Sequence, residues 1–594
     1  MDSIPARLRR NGTQEQYKSR IGYAYKKGIE WILCSFEDYY QETLQAAKSL
    51  HAMGVHTGKS VAILSFNRPE WVISDVACMM TGGIPAGIYQ TCSPVEVQYI
   101  IHHSESLVVF VENQEQWEKV EAQLTHLPLL KHIVTFKGYS IDHPMTMTWE
   151  AFLQYGEGIH DETIHEHIDA ITPNQPATFI YTSGTTGPPK AVMLSHNNLI
   201  FTADRAISIT ELREEDCTLS YLPLSHIAEQ VFSIHGPISA AATVYFAQSI
   251  DSLPENLKEV RPTVFFGVPR IWEKIYAKLQ DGLADASFFK QKTANWAISI
   301  GKECAQLRNK GLTPSGILSI QYALAKRIVF DAIKDRIGFS RTRVCVSGAA
   351  PISAEILLFF SGIDIIIHEV YGQSEDCGPT TFNQPGNTKF GTVGTAFPDV
   401  EVKIADDDEI LVRGENVFLG YFKDQEATEQ TIVDGWLHSG DLGRFDDDGF
   451  LRIIGRKKEI IITAGGKNIA PKNIEAALRD ISLISQAIVI GDKRPYLIAL
   501  LTLEEESIAR FCAEKGLPPK LIHENRTLLD TLQTSIDEVN SSFARVEHVR
   551  KFAVLPRDFS IDEQELTPTL KLKRSNIAQN WETTIQELYE KSKS

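Results

Sequence analysis

At 594 residues the chain is longer than one hydrophobic core serves, so two or more domains follow from a norm of about 100 to 200 residues each. Its 43% hydrophobic and 23% charged residues are those of an ordinary globular protein. The 59 basic against 76 acidic residues, net -17, exclude a general affinity for nucleic acid, although a local basic patch can still hold an anion. The eight cysteines are scattered without CxxC spacing and read as reduced thiols of an intracellular protein. Met1 to Arg10 carries charge with no apolar stretch behind it, so no secretory signal is expected. No window approaches the roughly 18 apolar residues of a membrane span, which leaves peripheral contact as the one form a membrane association takes.

In chain order, the spacing predicts a helix over Phe36 to Met53, a strand at Val61 to Leu64, a helix over Pro94 to His103, and strands at Leu107 to Val111 and Ile133 to Phe136. Further strands are expected at Ala177 to Ile180, Thr263 to Phe266 and Val344 to Val346. Strands alternating with helices imply parallel sheets covered on both faces. Residues 391–455 differ: short alternating runs with turns at Asp406-Asp407-Asp408 and at Asp446 to Gly449 predict antiparallel pairing, a small barrel or distorted sheet. After Gly455 a fresh α+β pattern starts, with a strand at Ile460 to Thr463, a helix near Pro471 to Arg479, and strands around Ala487 to Gly491 and Leu497 to Leu503. The expected fold class is α/β: a large N-terminal domain, residues 1–455, of two βα sheets plus the antiparallel barrel, then a smaller mobile α+β domain, residues 456–594.

Four segments carry the chemistry. Directly after Ala177 to Ile180 comes Thr182, Ser183, Gly184, Thr185, Thr186, Gly187, Pro188, Pro189 and Lys190, where glycines admit an anion to the backbone, hydroxyls donate to it and the lysine adds charge. The Walker A pattern does not fit, because Pro189 precedes the lysine and Ala191 follows it. Second, Glu369, Val370, Tyr371, Gly372, Gln373, Ser374 and Glu375 follow the apolar run Ile363 to Ile367, past the carboxyl end of a strand, where α/β sheets bind ligands. There a tyrosine can stack on adenine, Ser374 can donate to phosphate and Glu375 can hold Mg²⁺. Third, Asp441 within Gly435 to Asp441 can accept ribose hydroxyls, with Arg456 fifteen residues on, across a hairpin. Fourth, Lys571 follows a rigid Thr567-Pro568-Thr569 bend. Alone, the last three read more readily as a turn, a solvated hairpin end or a basic surface loop, whereas the first is specific by itself.

Together, in this order and spacing, they resemble the adenylate-forming superfamily, and Tyr221 to Glu229, Phe266 to Lys274, Ser347 to Pro351 and Leu566 to Arg574 look most like its long-chain fatty acyl-CoA synthetases of the bubblegum type. The likeness is read from about Trp31 onward. It implies an ATP- and Mg²⁺-dependent ligase that makes acyl-AMP with release of pyrophosphate, then passes the acyl group to coenzyme A. It further implies Lys571, Glu375, Thr182 and Lys190 as catalytic, Glu375 as metal ligand, Asp441 and Arg456 as nucleotide holders, Lys458 as hinge, and Gly465 and Gly466 beside the coenzyme A arm. His226, Trp272 and Gly348 are candidates for the acyl pocket, with core or capping roles equally expected of the first two. The implied partners are a long-chain fatty acid and coenzyme A, with no nucleic acid and no obligate protein partner. The expected location is the cytoplasm, with peripheral contact to a membrane such as the endoplasmic reticulum left open. Alternatives are an aryl- or medium-chain acyl-CoA ligase and a catalytically silent lipid or nucleotide binder on the same fold. Ala191 departs from the usual glycine, and Ser374 and Ser439 from threonine.

Overall fold

The computed structural model describes residues 2–182, 188–464, 467–519, 521–561, 563–567 and 571–590. Its largest sheet has eight strands in the order Gly420–Tyr421, Lys190–Ser195, Pro176–Thr182, Ile84–Ile88, Ser60–Leu64, Ser106–Val111, His132–Thr135 and Thr146–Thr148. The strands from Pro176–Thr182 onward run parallel, as continuous apolar runs buried on both faces must. Alternate residues serve opposite cores: Val61, Ile63, Val108 and Phe110 face one, Ala62, Leu64, Val109 and Val111 the other. Helix Phe36–Ala52 covers the first face and starts on a capping box in which Ser35 accepts from the Asp38 N–H and Asp38 accepts from the Ser35 N–H. Helix Pro94–His103 covers the second and has the same device in Ser93 and Glu96.

A second sheet joins Val264–Gly267, Val344–Ser347 and Ile367–Tyr371 in parallel and ends in two short antiparallel strands. The apolar run Ile363 to Ile367 is not its third strand. Asp364 takes a left-handed φ of 64° and accepts from Tyr322 at 2.7 Å and Lys334 at 2.6 Å, so the chain turns there and the strand begins at Ile367. A third sheet brings Ile21–Lys27 and Glu30–Ser35 beside Thr243–Phe246 and Cys217–Ser220.

Residues 401–456 are antiparallel as expected, but their pairings leave an open sheet and not a closed barrel. One long strand, Trp436–Phe445, carries two short partners along the same edge, Ile432–Val433 and then Leu451–Arg456, and Glu401–Ile404 stays at the far edge. From Ile461 onward the apolar residues pack in clusters of their own around the three-stranded sheet Ile484–Ile490, Leu497–Leu503 and Val549–Val554. A bidentate ion pair from Arg510 to Asp281, at 2.6 and 2.8 Å, ties this part to helix Pro269–Ala284.

Candidate active site

The site forms where strand Ile367–Tyr371 ends and the antiparallel sheet turns back. Antiparallel register sets Asp441 directly opposite Arg456. The Arg456 guanidinium donates to one carboxylate oxygen of Asp441 at 2.9 Å, and the Tyr371 hydroxyl donates to the other at 3.0 Å. The buried Asp441 is thus fixed by two donors while each oxygen keeps a further lone pair. After Tyr371 the backbone needs glycine, since a Cβ on Gly372 would stand 1.6 Å from the Gly378 carbonyl oxygen. Asp376 pins the turn that follows, accepting from the Gln373 N–H at 2.7 Å and from the Thr380 hydroxyl. Burial pushes its carboxyl well above the usual range, which favours the neutral form.

Glu375, the expected metal ligand, accepts from the Tyr421 hydroxyl at 2.8 Å. The Lys190 ammonium lies 4.8 Å from the centre of the same tyrosine ring and 3.3 Å from Asp424. Tyr421 therefore links the lysine that closes the glycine loop to the acidic residue after the strand. Lys190 opens a strand, pairs across from Thr182 and does not begin a helix, so the loop draws on no helix dipole. Ala191 is a buried strand residue outside the positive-φ set, so its departure from glycine costs no backbone strain. Ser183, Gly184, Thr185, Thr186, Gly187, Gly465 and Gly466 lie outside the described residues.

Lys571 reaches the same cleft from the C-terminal part. Its carbonyl accepts from the Thr567 N–H at 2.8 Å, its N–H donates to the Thr567 hydroxyl at 3.0 Å, and Leu566 bridges to Leu572, an antiparallel pairing that fixes the lysine's backbone. The side chain stays open to solvent, yet the protein around the cleft holds its pKa down to about 8. Desolvation is the main cause; Arg456 and Lys472 add to it, and Asp441 and Glu375 oppose it. His226 faces the lysine: burial, then the Lys571 charge, holds its pKa down to about 3. Its Nδ1 accepts from the Ala228 N–H at 3.2 Å, so the neutral ring carries its proton on Nε2.

Other expected residues sit elsewhere. Glu369 turns its buried carboxyl to the Gly391 N–H at 3.1 Å, and burial pushes its pKa up to about 8, which makes it a brace for residues 389–394. Val370 packs against Gly348, where a Cβ would meet a Val370 methyl at 2.5 Å; the glycine is there for close approach. Of the two roles expected of Trp272, the structure shows the core one. Its indole is fully buried among Phe265, Phe339 and Phe360 and donates to the Gly267 carbonyl at 3.0 Å, a locked core position. Lys458 is exposed in the turn Lys457–Glu459, while its neighbour Lys457 pairs with Asp407 and Glu409. Sequence reasoning missed Tyr421, Asp424 and Lys472, which are brought in by pairing or packing over long separations that no local pattern marks, and Asp376, which adjoins Glu375 and braces its turn through local hydrogen bonds.

A model of the AMP-binding enzyme family matches residues 13–422, and one of the AMP-binding enzyme C-terminal domain matches residues 458–593. The chain belongs to the AMP-binding enzyme family. It is 37% identical to the long-chain-fatty-acid–CoA ligase ACSBG2 of Xenopus laevis over 97% of this chain and 82% of that protein. To ACSBG1 of Homo sapiens it is 36% identical, over 98% and 84%. Among solved structures, the anthranilate CoA ligase AuaEII in complex with anthranoyl-AMP matches with a TM-score of 0.72 at 20% identity, covering 98% of both chains, a likeness of fold alone. The long-chain, bubblegum-type resemblance is borne out, but it starts before Trp31. Strand Ile21–Lys27 is built into a sheet, and Arg7 on the first helix pairs with Asp204 at 2.6 Å.

Proposed function

We propose that this protein is an AMP-forming ligase that joins long-chain fatty acids to coenzyme A at the expense of ATP. The observation that carries the reading is the approach of Lys571, from a separately packed C-terminal part, to the cleft that holds Asp441, Arg456 and Glu375. The near full-length likeness to long-chain-fatty-acid–CoA ligases supports the choice of substrate.

A carboxylate resists thiol attack because its leaving group would be oxide. In the first half-reaction its oxygen bonds to the α-phosphorus of ATP as the bond to pyrophosphate breaks, and the protein contributes positioning and charge. Asp441 accepts from the ribose, with Arg456 and Tyr371 holding that carboxylate in place. Residues 182–190 and Lys190 hold the outer phosphates. The Lys571 ammonium balances the negative charge that builds between carboxylate and α-phosphate. Mg²⁺ fits the donor set, because Glu375 offers a hard carboxylate with lone pairs to spare after its bond to Tyr421; when bound, the ion neutralises charge on the phosphates.

In the second half-reaction the thiol sulfur bonds to the acyl carbon and AMP leaves. Residues 1–455 act as the adenylating domain and 456–594 as a lid that turns about Lys458, withdrawing Lys571 and bringing residues 464–466 to the pantetheine arm. No described helix is long and apolar enough to cross a membrane.

The experiment is pyrophosphate release and acyl-CoA formation with ATP, Mg²⁺, coenzyme A and straight-chain acids from acetate to about C24, comparing the native chain with Lys571→Ala. Turnover of long chains, with adenylation falling at least a hundredfold in the variant while supplied acyl-adenylate is still converted to thioester, is expected. Failure to turn over any fatty acid despite ATP binding would discard the reading.

A further inference from the structure

Helix Gly316–Ala325 and the turn that continues it to Phe330 are apolar on two opposite sides. Ala325, Val329 and Phe330 are buried in the core beneath, with Leu318 and Tyr322 packed against it. The opposite side is a second apolar stripe that packs against nothing: Ile317 is 76% exposed, Ile320 70%, Leu324 50% and Ile328 51%. The spacing of three, four and four residues puts these four on one line about 16 Å long, from the helical rise. A helix apolar all round is ordinarily enclosed, and a row of large aliphatic side chains held in water marks a contact surface.

The charges around the stripe say what covers it. The chain as a whole carries a net charge of -17, yet Cys304 to Phe330 contains Arg308, Lys310, Lys326 and Arg327 and no acidic residue. Arg308 and Lys326 are held by Asp364 and Asp331, whereas Lys310, in the connection that leads into the helix, and Arg327, next to Ile328, are exposed and face no described carboxylate within ion-pair distance. An aliphatic line in a segment whose unpaired charges are all positive, on an otherwise acidic protein, is complementary to a surface that is greasy below and anionic above.

We infer that the face formed by Ile317, Ile320, Leu324 and Ile328, with Lys310 and Arg327, docks on the surface of an anionic lipid bilayer, lying in the headgroup layer without crossing it. The inference rests on the long-chain acid reading only for its purpose: such acids partition into bilayers, so a docked enzyme draws its substrate from the phase that holds it.

Vesicle co-sedimentation of the full chain tests the surface without any turnover. Liposomes of phosphatidylcholine with about 30% phosphatidylserine should pellet the protein, phosphatidylcholine alone should pellet much less, and about 0.5 M salt should release it. The triple variant Ile317→Ser/Ile320→Ser/Leu324→Ser should bind at least tenfold more weakly. Lys310→Glu/Arg327→Glu leaves the apolar line intact and should lose the preference for phosphatidylserine, which separates docking from any loss of folding in the triple variant. Adenylation of a dissolved medium-chain acid should be unchanged in both. Equal sedimentation of native and variant chains would overturn the proposal. So would a native chain that stays in the supernatant, or a stripe whose loss breaks a dimer in solution and leaves vesicle binding untouched. Absence of ligase activity with intact vesicle binding would instead remove the functional reading and leave the surface standing.

Discussion

Lys571 is the residue on which most of the proposed chemistry turns, and its surroundings set a limit on the pH at which it serves in that role. Desolvation and the positive charges of Arg456 and Lys472 favour the neutral amine, bringing its pKa down to about 8. The stabilising role proposed for it in adenylation requires the ammonium form. The group is therefore fully charged well below pH 8 and loses its charge as pH rises through that value. kcat/KM reports the free enzyme, before ATP phosphates draw the proton back, so kcat/KM for pyrophosphate release should fall above about pH 8. Lys571→Arg keeps a charge at any accessible pH but has a flat, wider head. It should lose activity at neutral pH and lose the alkaline limb with it. An alkaline limb that persists in the arginine variant would assign the titration to another group. His226 does not compete for that assignment, because it is neutral down to about pH 3.

At the scale of elements, the site depends on where strands stop. The turn after Ile367–Tyr371 aims Tyr371 at Asp441 only because Gly372 lets the chain pass against Gly378 with no side chain between. Gly372→Ala puts a methyl group where backbone already stands, and neither side is a flexible tip that can yield. The turn must shift, and with it the hydroxyl on Asp441 and the Asp376 brace. Adenylation should drop at least tenfold, with a raised KM for ATP and a lower melting temperature, measured by pyrophosphate release and calorimetry; a variant with native KM would show the turn to be adaptable. These elements were unevenly legible. Helix Pro94–His103, helix Pro471–Arg479 and strand Leu497–Leu503 stand where periodicity and capping residues place them. The strand before Tyr371 was displaced because Ile363 and Ile365 are apolar for the core while Asp364 between them breaks the extended backbone. Asp441 and Arg456 could be paired from hairpin arithmetic. Tyr421 could not be tied to Glu375 and Lys190, since strand Gly420–Tyr421 is two residues long and joins its sheet beside a strand more than 200 residues earlier.

For the whole molecule, the proposed reaction requires the C-terminal part to move between half-reactions, because one lysine cannot stand in the cleft and leave room for a thiol to reach the same acyl carbon. What crosses between the two parts in the arrangement seen here includes the bidentate pair joining Arg510 to Asp281, which is exposed on both sides and as such contributes little, and a hydrogen bond between Asp480 and Ser353. Polar contacts of this kind can be exchanged for water, and the proposed motion then depends on the backbone where the two cores separate. Leu451 is the last residue of one core and Ile461 the first of the other, with the exposed turn Lys457–Glu459 between them. Lys458→Pro fixes φ at this turn and restrains the residue before it, while touching no group in the cleft. Pyrophosphate release in the absence of coenzyme A should then stay within about threefold of native, because Lys571 is already in place for it. Thioester formation from supplied acyl-adenylate should fall a hundredfold or more, since the lid can no longer turn. Single-turnover assays of the two steps separate these outcomes. Equal loss in both would mean that the proline distorts the cleft itself, and no loss in either would move the hinge away from Lys458.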